Sequence, residues 1–150
     1  MNASSRVRVL FVCIGNACRS PMAEAIARRN AADVIEPCSA GLYPLGHIAE
    51  PTIDALVTNG YSAEGLASKF ISRETVSSAD LIVNLSGLPI DPLFSSGPSR
   101  LSDGQRIENW DVSDPYGEEA ATYQRILEEL EERVQQLANQ LRDGNRCSNG

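Results

Sequence analysis

The sequence lacks any run of about eighteen apolar residues, the length that a helix needs to cross a bilayer. Its first residues, MNASSRVRV, lack the apolar core of a secretory signal, so we expect a cytoplasmic protein that neither spans nor binds a membrane. Histidine occurs once and cysteine four times, too few and too scattered for a four-ligand zinc site or a disulfide framework. We therefore expect no metal site and no cofactor.

Positive charge is also scarce, since the formal net charge is −7. A surface with this excess of acidic groups repels polyanions, which excludes a broad interface for nucleic acid or for anionic lipid. Any anion that the protein binds must therefore be held by a local site and not by the overall field.

The pattern of apolar residues predicts a protein in which strands and helices alternate. The 150 residues, 42% of them hydrophobic, suffice for one core, so we expect a single domain over residues 1–150. Apolar runs predict strands at 6–12, 34–40, 79–85 and 106–110. Helical spacing predicts helices at 22–32, 50–59, 72–78 and 123–141, with a long loop at 86–105 and a disordered tail from 143 to 150. This order is typical of an α/β fold, a four-stranded parallel sheet with helices on both faces.

One segment, VCIGNACRSP at residues 12–21, joins the first predicted strand to the first helix. Gly15 and Asn16 are residue types that tolerate positive φ, so the loop can turn its backbone N–H groups inward and form an anion nest. The following helix adds the positive end of its dipole, with Pro21 predicted at the first helical position and Ser20 as its N-cap. The sequence thus predicts a phosphate-binding loop directly after the first strand.

The side chains at this loop point to nucleophilic chemistry. The nest and the helix end favour the thiolate of Cys13, and the planar guanidinium of Arg19, six residues later, can bind two oxygens of a tetrahedral oxyanion. This arrangement suits attack of sulfur on phosphorus. The departing oxygen then needs a proton, for which Asp114 of the DPYG segment is the best-placed acid, with Asp111 in reserve. Burial beside Tyr116 under an anionic ligand is expected to help keep the acid protonated.

The motifs VCIGNACRSPMAE and DPYG, with CSAG and ADLIV between them, resemble the low-molecular-weight protein tyrosine phosphatases. They are also similar to the thioredoxin-coupled arsenate reductases that share this fold, and the resemblance extends from Arg6 to about Arg142. It implies that Cys13 forms a cysteinyl-phosphate, Arg19 binds the phosphate and the transition state, and Asp114 serves as acid and then base. The phosphate-binding residues that it implies are Ile14, Gly15, Asn16, Ala17, Cys18, Arg19 and Ser20.

The resemblance also implies supporting roles within and beside the loop. Ser20 would donate a hydrogen bond to the Cys13 thiolate, and Asn16 would be a strained left-handed residue supported by Ser39 of the CSAG segment. Cys18 corresponds to the family's second loop cysteine, which can form a disulfide with the nucleophile on oxidation.

Three positions depart from the resemblance. Segment 64–69 has no histidine, although many of these phosphatases carry one there to support the asparagine. Tyr116 is followed by Gly117 and not by a second aromatic residue, which is expected to alter the pocket wall that grips an aryl ring; Tyr116 and Tyr43 are the predicted wall residues. Ser86 stands where thioredoxin-coupled arsenate reductases have their first resolving cysteine.

These observations predict a phosphatase for phosphotyrosine or another aryl phosphate, with a phosphorylated protein or a small aryl phosphate as its substrate. The loop would also bind inorganic phosphate or a similar oxyanion. Two alternatives stay open: an arsenate reductase that uses an external thiol donor, and a weakly active phosphate or phosphoprotein sensor. Simpler roles are predicted for four other residues: His47 as an exposed loop residue, Cys38 in the core, Trp110 in packing and Cys147 as a tail thiol.

Overall fold

The computed structural model describes residues 6–94 and 100–148, with side chains described as far as 144. Its sheet is parallel, in the order β2-β1-β3-β4, and consists of β1 (Val7–Cys13), β2 (Ile35–Gly41), β3 (Leu81–Asn84) and β4 (Arg106–Asn109). The helices are α1 (Arg19–Asn30), α2 (Glu50–Thr58), α3 (Arg73–Ser78) and α4 (Ala120–Ser148). The four-stranded parallel sheet of an α/β fold is thus confirmed.

Successive residues of β1 point to opposite faces of the sheet, and each face is covered. Val9 and Phe11 belong to a core that also contains buried residues of α1, α2 and α4. Leu10 and Val12 belong to a second core with Val76 of α3. Because both faces are buried there, β1 from Val9 to Cys13 and β3 from Leu81 to Val83 are apolar without alternating polar residues. Helices on both faces are therefore confirmed as well.

Helix α1 begins two residues earlier than predicted. Arg19 is its first residue and Cys18 its N-cap, and the amide of Met22 donates to the Cys18 carbonyl at 3.0 Å. The predictions of Ser20 as N-cap and Pro21 as the first helical residue were therefore wrong. The hydroxyl of Ser20 is engaged by the loop before the helix, so it does not cap the helix.

Two predicted irregular segments contain regular structure. Within 86–105, a 3-10 turn at Asp91–Phe94 buries Phe94, while residues 95–99 lie outside the described part of the chain. Helix α4 continues to Ser148, so the prediction of a disordered tail was wrong for 143–148, and 149–150 lie outside the described residues. A single glycine costs an exposed helix about 1 kcal/mol, which α4 tolerates at Gly144. The side chain of Cys147 is not among those described.

No helix within 6–94 and 100–148 combines the length and the apolar character that crossing a bilayer requires.

The register of the sheet determines where the loops after its strands lie. Cys13 at the end of β1 is paired with Gly41 at the end of β2, and Val12 is paired with Asn84 at the end of β3. The loops after these strands consequently meet at one edge of the sheet, where ligand sites of such sheets lie.

Candidate active site

A cavity of about 170 Å³ lies at this carboxyl edge of the sheet. Its walls bring together the thiol of Cys13, the guanidinium of Arg19 and the carboxyl group of Asp114, which come from β1, α1 and the loop after β4. The other lining residues are Ile14, Gly15, Ala17, Cys18, Tyr43, Leu45 and Tyr116. Three side chains from separate elements of the fold therefore share one small cavity.

Four carbonyl groups of the loop accept hydrogen bonds from residues within 42–52. The carbonyls of Cys13, Ile14 and Gly15 accept from the amides of Leu42, Tyr43 and Leu45, at 3.1, 2.8 and 2.9 Å. The carbonyl of Ala17 accepts from the Ala49 amide at 3.1 Å and from the Thr52 hydroxyl at 2.9 Å. In a trans peptide the N–H group points opposite to the C=O group. The following amides, those of Ile14, Gly15, Asn16 and Cys18, therefore point away from these partners and are free of them to donate to an anion, as in the predicted nest.

Asn16 has a left-handed backbone conformation, which residues other than glycine rarely adopt. Its φ is +49°, the only positive φ of a non-glycine residue in the described ranges, whereas Gly15 does not need one. The buried side-chain amide donates to Ser20 Oγ at 2.8 Å and to Ser39 Oγ at 3.0 Å. Its Oδ1 accepts from the Lys69 backbone amide at 2.9 Å. In segment 64–69, which lacks the family's histidine, the backbone amide of Lys69 thus supports Asn16 in place of a side chain.

A buried carboxylate fixes the direction of this hydrogen-bond chain. Ser39 donates its hydroxyl to Glu24 Oε1 at 2.6 Å, so its oxygen is left to accept from Asn16. Asn16 in turn donates to Ser20, whose own hydrogen is then left for Cys13 Sγ, 2.9 Å away. Hydrogen bonds to the charged form stabilise a thiolate. The structure therefore links Cys13 to Glu24 through three polar side chains.

Arg19 is anchored by one end of its guanidinium. Nη1 donates to the carbonyls of Leu85 at 2.5 Å and Val112 at 3.1 Å, and the side chain is 5% exposed. Nε is buried and is the one side-chain nitrogen or oxygen in the described residues that is both buried and without a hydrogen-bond partner. Nε and Nη2 form the edge of a guanidinium that binds two oxygens at once. This edge therefore has an unfilled capacity for an oxyanion.

Asp114 lies at the rim of the cavity. Its Oδ2 is 3.5 Å from Arg19 Nη2, and its Oδ1 accepts from the Tyr116 amide at 3.1 Å in a tight turn. The side chain is 47% exposed, and its burial beside Tyr116 under a bound anion stays a prediction. Asp111, the reserve acid, is outside the catalytic cavity and lines a different pocket, together with Asn84 and Asn109. Of the two candidate acids, only Asp114 faces Cys13 and Arg19 across one cavity.

The other described cysteines are in environments that favour neutral thiols. Cys18 is buried, with Sγ 3.6 Å from the Tyr123 hydroxyl, and burial raises the pKa of its thiol. Burial also raises the pKa of Cys38 to about 11, and its Sγ contacts the Val9 carbonyl at 3.8 Å. Because the thiolate is the nucleophile, neither cysteine is poised to react at neutral pH.

Two aromatic side chains flank the cavity opening. Tyr43 and Tyr116 both line it and are 74% and 56% exposed. The residue after Tyr116 has a φ of +83°, which glycine adopts without strain, and this is the physical reason for Gly117 at that position. His47 is exposed and away from the cavity, and Trp110 packs on Phe11 with ring centroids 5.8 Å apart. Within the described residues, no group of three or more metal-binding side chains is present.

Two residues that support the loop, Glu24 and Gly41, were not predicted from the sequence. Glu24 lies in a buried stretch of α1 and forms an ion pair with Arg28 at 2.8 Å. A carboxylate among apolar helix residues was the signal that could have identified it. Gly41 faces the loop so closely that an added Cβ would lie 2.8 Å from the Ile14 carbonyl oxygen and 2.9 Å from Asn16 Cβ. No sequence pattern alone distinguishes such a close approach from an ordinary strand end.

Gly41→Ala is expected to weaken the binding of inorganic phosphate roughly tenfold, because overpacking a rigid site typically costs about 1–3 kcal/mol. The new methyl group would displace the backbone of the loop and misalign its amides. Calorimetric titration with phosphate measures the effect. Gly144→Ala is the matched control, since nothing lies within 4 Å of a Cβ at that position. Equal affinities of the two variants would contradict the steric argument.

Known proteins with a similar sequence or fold belong to one phosphatase and arsenate reductase group. Residues 8–146 match the model of the low molecular weight phosphotyrosine protein phosphatase family. The chain is 31% identical over 131 residues to a probable low molecular weight protein-tyrosine-phosphatase, EpsP of Ralstonia nicotianae, covering 84% of this chain and 90% of the relative. It is 32% identical over 155 residues to a protein-arginine-phosphatase of Bacillus subtilis, covering 92% and 99%. It also superposes on an arsenate reductase solved in its phosphate-binding state, with 26% identity, a TM-score of 0.77 and coverage of 90% and 98%.

Proposed function

The chain belongs to the low molecular weight phosphotyrosine protein phosphatase family, and from this membership we propose that it hydrolyses aryl phosphate monoesters through a cysteinyl-phosphate on Cys13. Phosphate-monoester hydrolysis by a cysteine nucleophile is the activity of the family. The proposal extends this activity to named residues of this chain and to a class of substrate.

The orientation of Arg19 is the observation that carries the proposal. Its Nη1 is held by two backbone carbonyls, its buried Nε has no hydrogen-bond partner, and the residue lines the same cavity as Cys13 and Asp114. A phosphoryl group bound to that edge would have two oxygens fixed. Its remaining oxygen would be left to the loop amides, and its phosphorus would be presented to the sulfur.

In the first step, the thiolate of Cys13 attacks phosphorus, and the bond from phosphorus to the ester oxygen breaks. Asp114 gives its proton to the departing oxygen, which leaves as a phenol or an alcohol. The nearby Arg19 edge and the loop amides stabilise the charge that spreads over the phosphoryl oxygens.

In the second step, water attacks the cysteinyl-phosphate, and Asp114, now a carboxylate, takes a proton from that water. The bond between sulfur and phosphorus breaks, and inorganic phosphate leaves. The departing sulfur becomes a thiolate again, and the Ser20 hydroxyl at 2.9 Å stabilises it. The enzyme therefore returns to its starting state without a further reactant.

The shape of the cavity favours an aryl substrate, for which we propose phosphotyrosine. A volume of about 170 Å³ accommodates a phosphoryl group and a ring, and the exposed rings of Tyr43 and Tyr116 flank its opening. The arginine phosphatase relative raises phosphoarginine as the competing substrate. Asp114 is the only carboxylate among the residues that line the cavity. If Asp114 acts as the acid, no second carboxylate is left to bind the guanidinium group of a phosphoarginine. We therefore expect phosphotyrosine to be preferred.

Arsenate reduction is the second candidate, because a solved arsenate reductase superposes on the chain with a TM-score of 0.77. Arsenate has the shape of phosphate, and Cys13 could attack it in the same loop. The first resolving cysteine, however, is replaced by Ser86, which is buried and donates to Asn84 Oδ1 at 2.6 Å. Reduction would therefore need an external thiol.

A parallel assay of the purified chain tests the proposal. We expect robust release of p-nitrophenol from its phosphate ester and of phosphate from a phosphotyrosine peptide, with slower hydrolysis of a phosphoarginine peptide. Arsenate with thioredoxin or glutaredoxin and glutathione is the second arm, for which we expect negligible turnover. Faster arsenate turnover than ester hydrolysis would overturn the phosphatase proposal. Phosphate binding without turnover in either arm would establish the sensor instead.

Cys13, Cys18 and Cys38 are free thiols. Because the reaction requires a reduced nucleophile, we propose that the protein acts in a reducing compartment, the cytoplasm.

A further inference from the structure

A second and larger cavity, of about 440 Å³, adjoins the catalytic one. The two share Tyr43 as a wall. The walls of the second cavity are mainly apolar, and we call it the apolar groove, defined by Tyr43, Phe70, Val76, Leu88, Leu93 and Phe94. The catalytic mechanism uses none of the groove residues beyond the shared wall.

The exposed apolar side chains of the molecule concentrate around these two cavities. Phe70, Leu93 and Leu88 of the groove are 64%, 52% and 43% exposed. Among the exposed large apolar side chains of the described residues, all but Val57 line the groove or the catalytic cavity. Contiguous apolar surface of this kind marks a binding site, because water solvates it poorly.

The groove has a fixed position relative to the reacting sulfur. The amide of Tyr43 donates to the Ile14 carbonyl at 2.8 Å, which ties the shared wall to the phosphate loop. The amide of Ile71 donates to the Gly41 carbonyl at 3.0 Å, which ties the Phe70 segment to the end of β2. A ligand bridging both cavities would therefore meet two preformed sites at a constant separation.

We propose that the apolar groove binds an apolar side chain next to the phosphotyrosine of a polypeptide substrate. The inference rests on the proposed function, because the catalytic cavity must first hold the phosphorylated ring. At about 170 Å³ that cavity has no room for further residues, so the polypeptide must continue over its rim. Over the Tyr43 rim the polypeptide reaches the groove, whose mainly apolar walls select an apolar side chain.

Short peptides test this inference. Each would carry a central phosphotyrosine among alanines, and one leucine would be moved through the flanking positions. We expect at least one leucine position to raise kcat/KM about tenfold over the all-alanine peptide, the gain typical of burying such a side chain. Leu93→Ser and Phe70→Ser should remove this gain while p-nitrophenyl phosphate is hydrolysed as before. Val57→Ser is the matched control, an exposed apolar residue of α2 outside both cavities.

The outcomes separate the inference from the function on which it rests. No hydrolysis of p-nitrophenyl phosphate would overturn the proposed function. Hydrolysis without preference for any leucine peptide would overturn the groove proposal alone, as would a preference that both groove variants keep. A dimer that Leu93→Ser dissociates, seen by analytical ultracentrifugation, would assign the groove to a second copy of the chain and would also overturn it.

Discussion

Cys13→Ser is expected to lower the hydrolysis of an aryl phosphate by about 10⁴-fold or more, the loss typical of removing a covalent nucleophile. A serine hydroxyl stays protonated at neutral pH and is a far weaker nucleophile than a cysteine thiol. The substitution leaves the Nε edge of Arg19 and the loop backbone in place. We therefore expect turnover to disappear while the affinity for inorganic phosphate changes little, as measured by steady-state kinetics and calorimetry.

Cys38→Ser is the control for this variant, because Cys38 is half-buried, contacts the Val9 carbonyl and lines neither the catalytic cavity nor the apolar groove. It should keep nearly full activity. Hydrolysis by Cys13→Ser at a rate close to that of the parent chain would show that sulfur does not attack phosphorus. A cysteinyl-phosphate trapped by rapid acid quench of the parent chain, and absent from the variant, would support the assignment directly.

The strands were predictable because burial on both faces leaves a strong signal. In β1 and β3 nearly every residue packs into one of two cores, so the sequence reads as an uninterrupted apolar run. The ends of the elements were less predictable. Helix α1 begins at Arg19 because the Cys18 carbonyl already accepts from Met22, and capping preferences alone favoured Ser20. The Ser20 hydroxyl instead forms tertiary hydrogen bonds with Asn16 and Cys13, and these outweigh its local preference for capping the helix.

The proposed reacting groups and two of the supporting side chains, Ser20 and Ser39, were named from the sequence, whereas the other supports were not. Cys13 and Arg19 lie within one short motif, so local spacing identifies both. The groups that hold them are distant in sequence and partly backbone: the Leu85 and Val112 carbonyls on Arg19, and the Lys69 amide on Asn16. Every residue has a backbone carbonyl, and nearly every residue a backbone amide, so the residue type does not indicate which of these groups makes such a contact. Such contacts emerge only once the sheet brings the strand ends together.

Asp114→Asn is expected to slow hydrolysis of phenyl phosphate by about 10²- to 10⁴-fold, the contribution typical of a general acid. Asparagine keeps the oxygen that accepts from the Tyr116 amide, so the turn should persist. It has no proton to give to the departing oxygen. The loss should therefore shrink as the leaving group improves, because a nitrated phenol departs as an anion without help. Rates for a series of phenyl phosphates, plotted against the acidity of the phenol, measure this dependence.

Asp111→Asn is the matched control for this series, because Asp111 is in the same loop but lines a pocket apart from Cys13 and Arg19. It should give the parent slope. The slope of Asp114→Asn should be steeper if this carboxyl group protonates the leaving oxygen in the first step. Parallel lines for both variants would assign the proton to another donor and leave Asp114 a structural role through its contacts with Arg19 and the Tyr116 amide. The dependence on the leaving group thus separates an acid from a residue that merely orients Arg19, which a single rate cannot do.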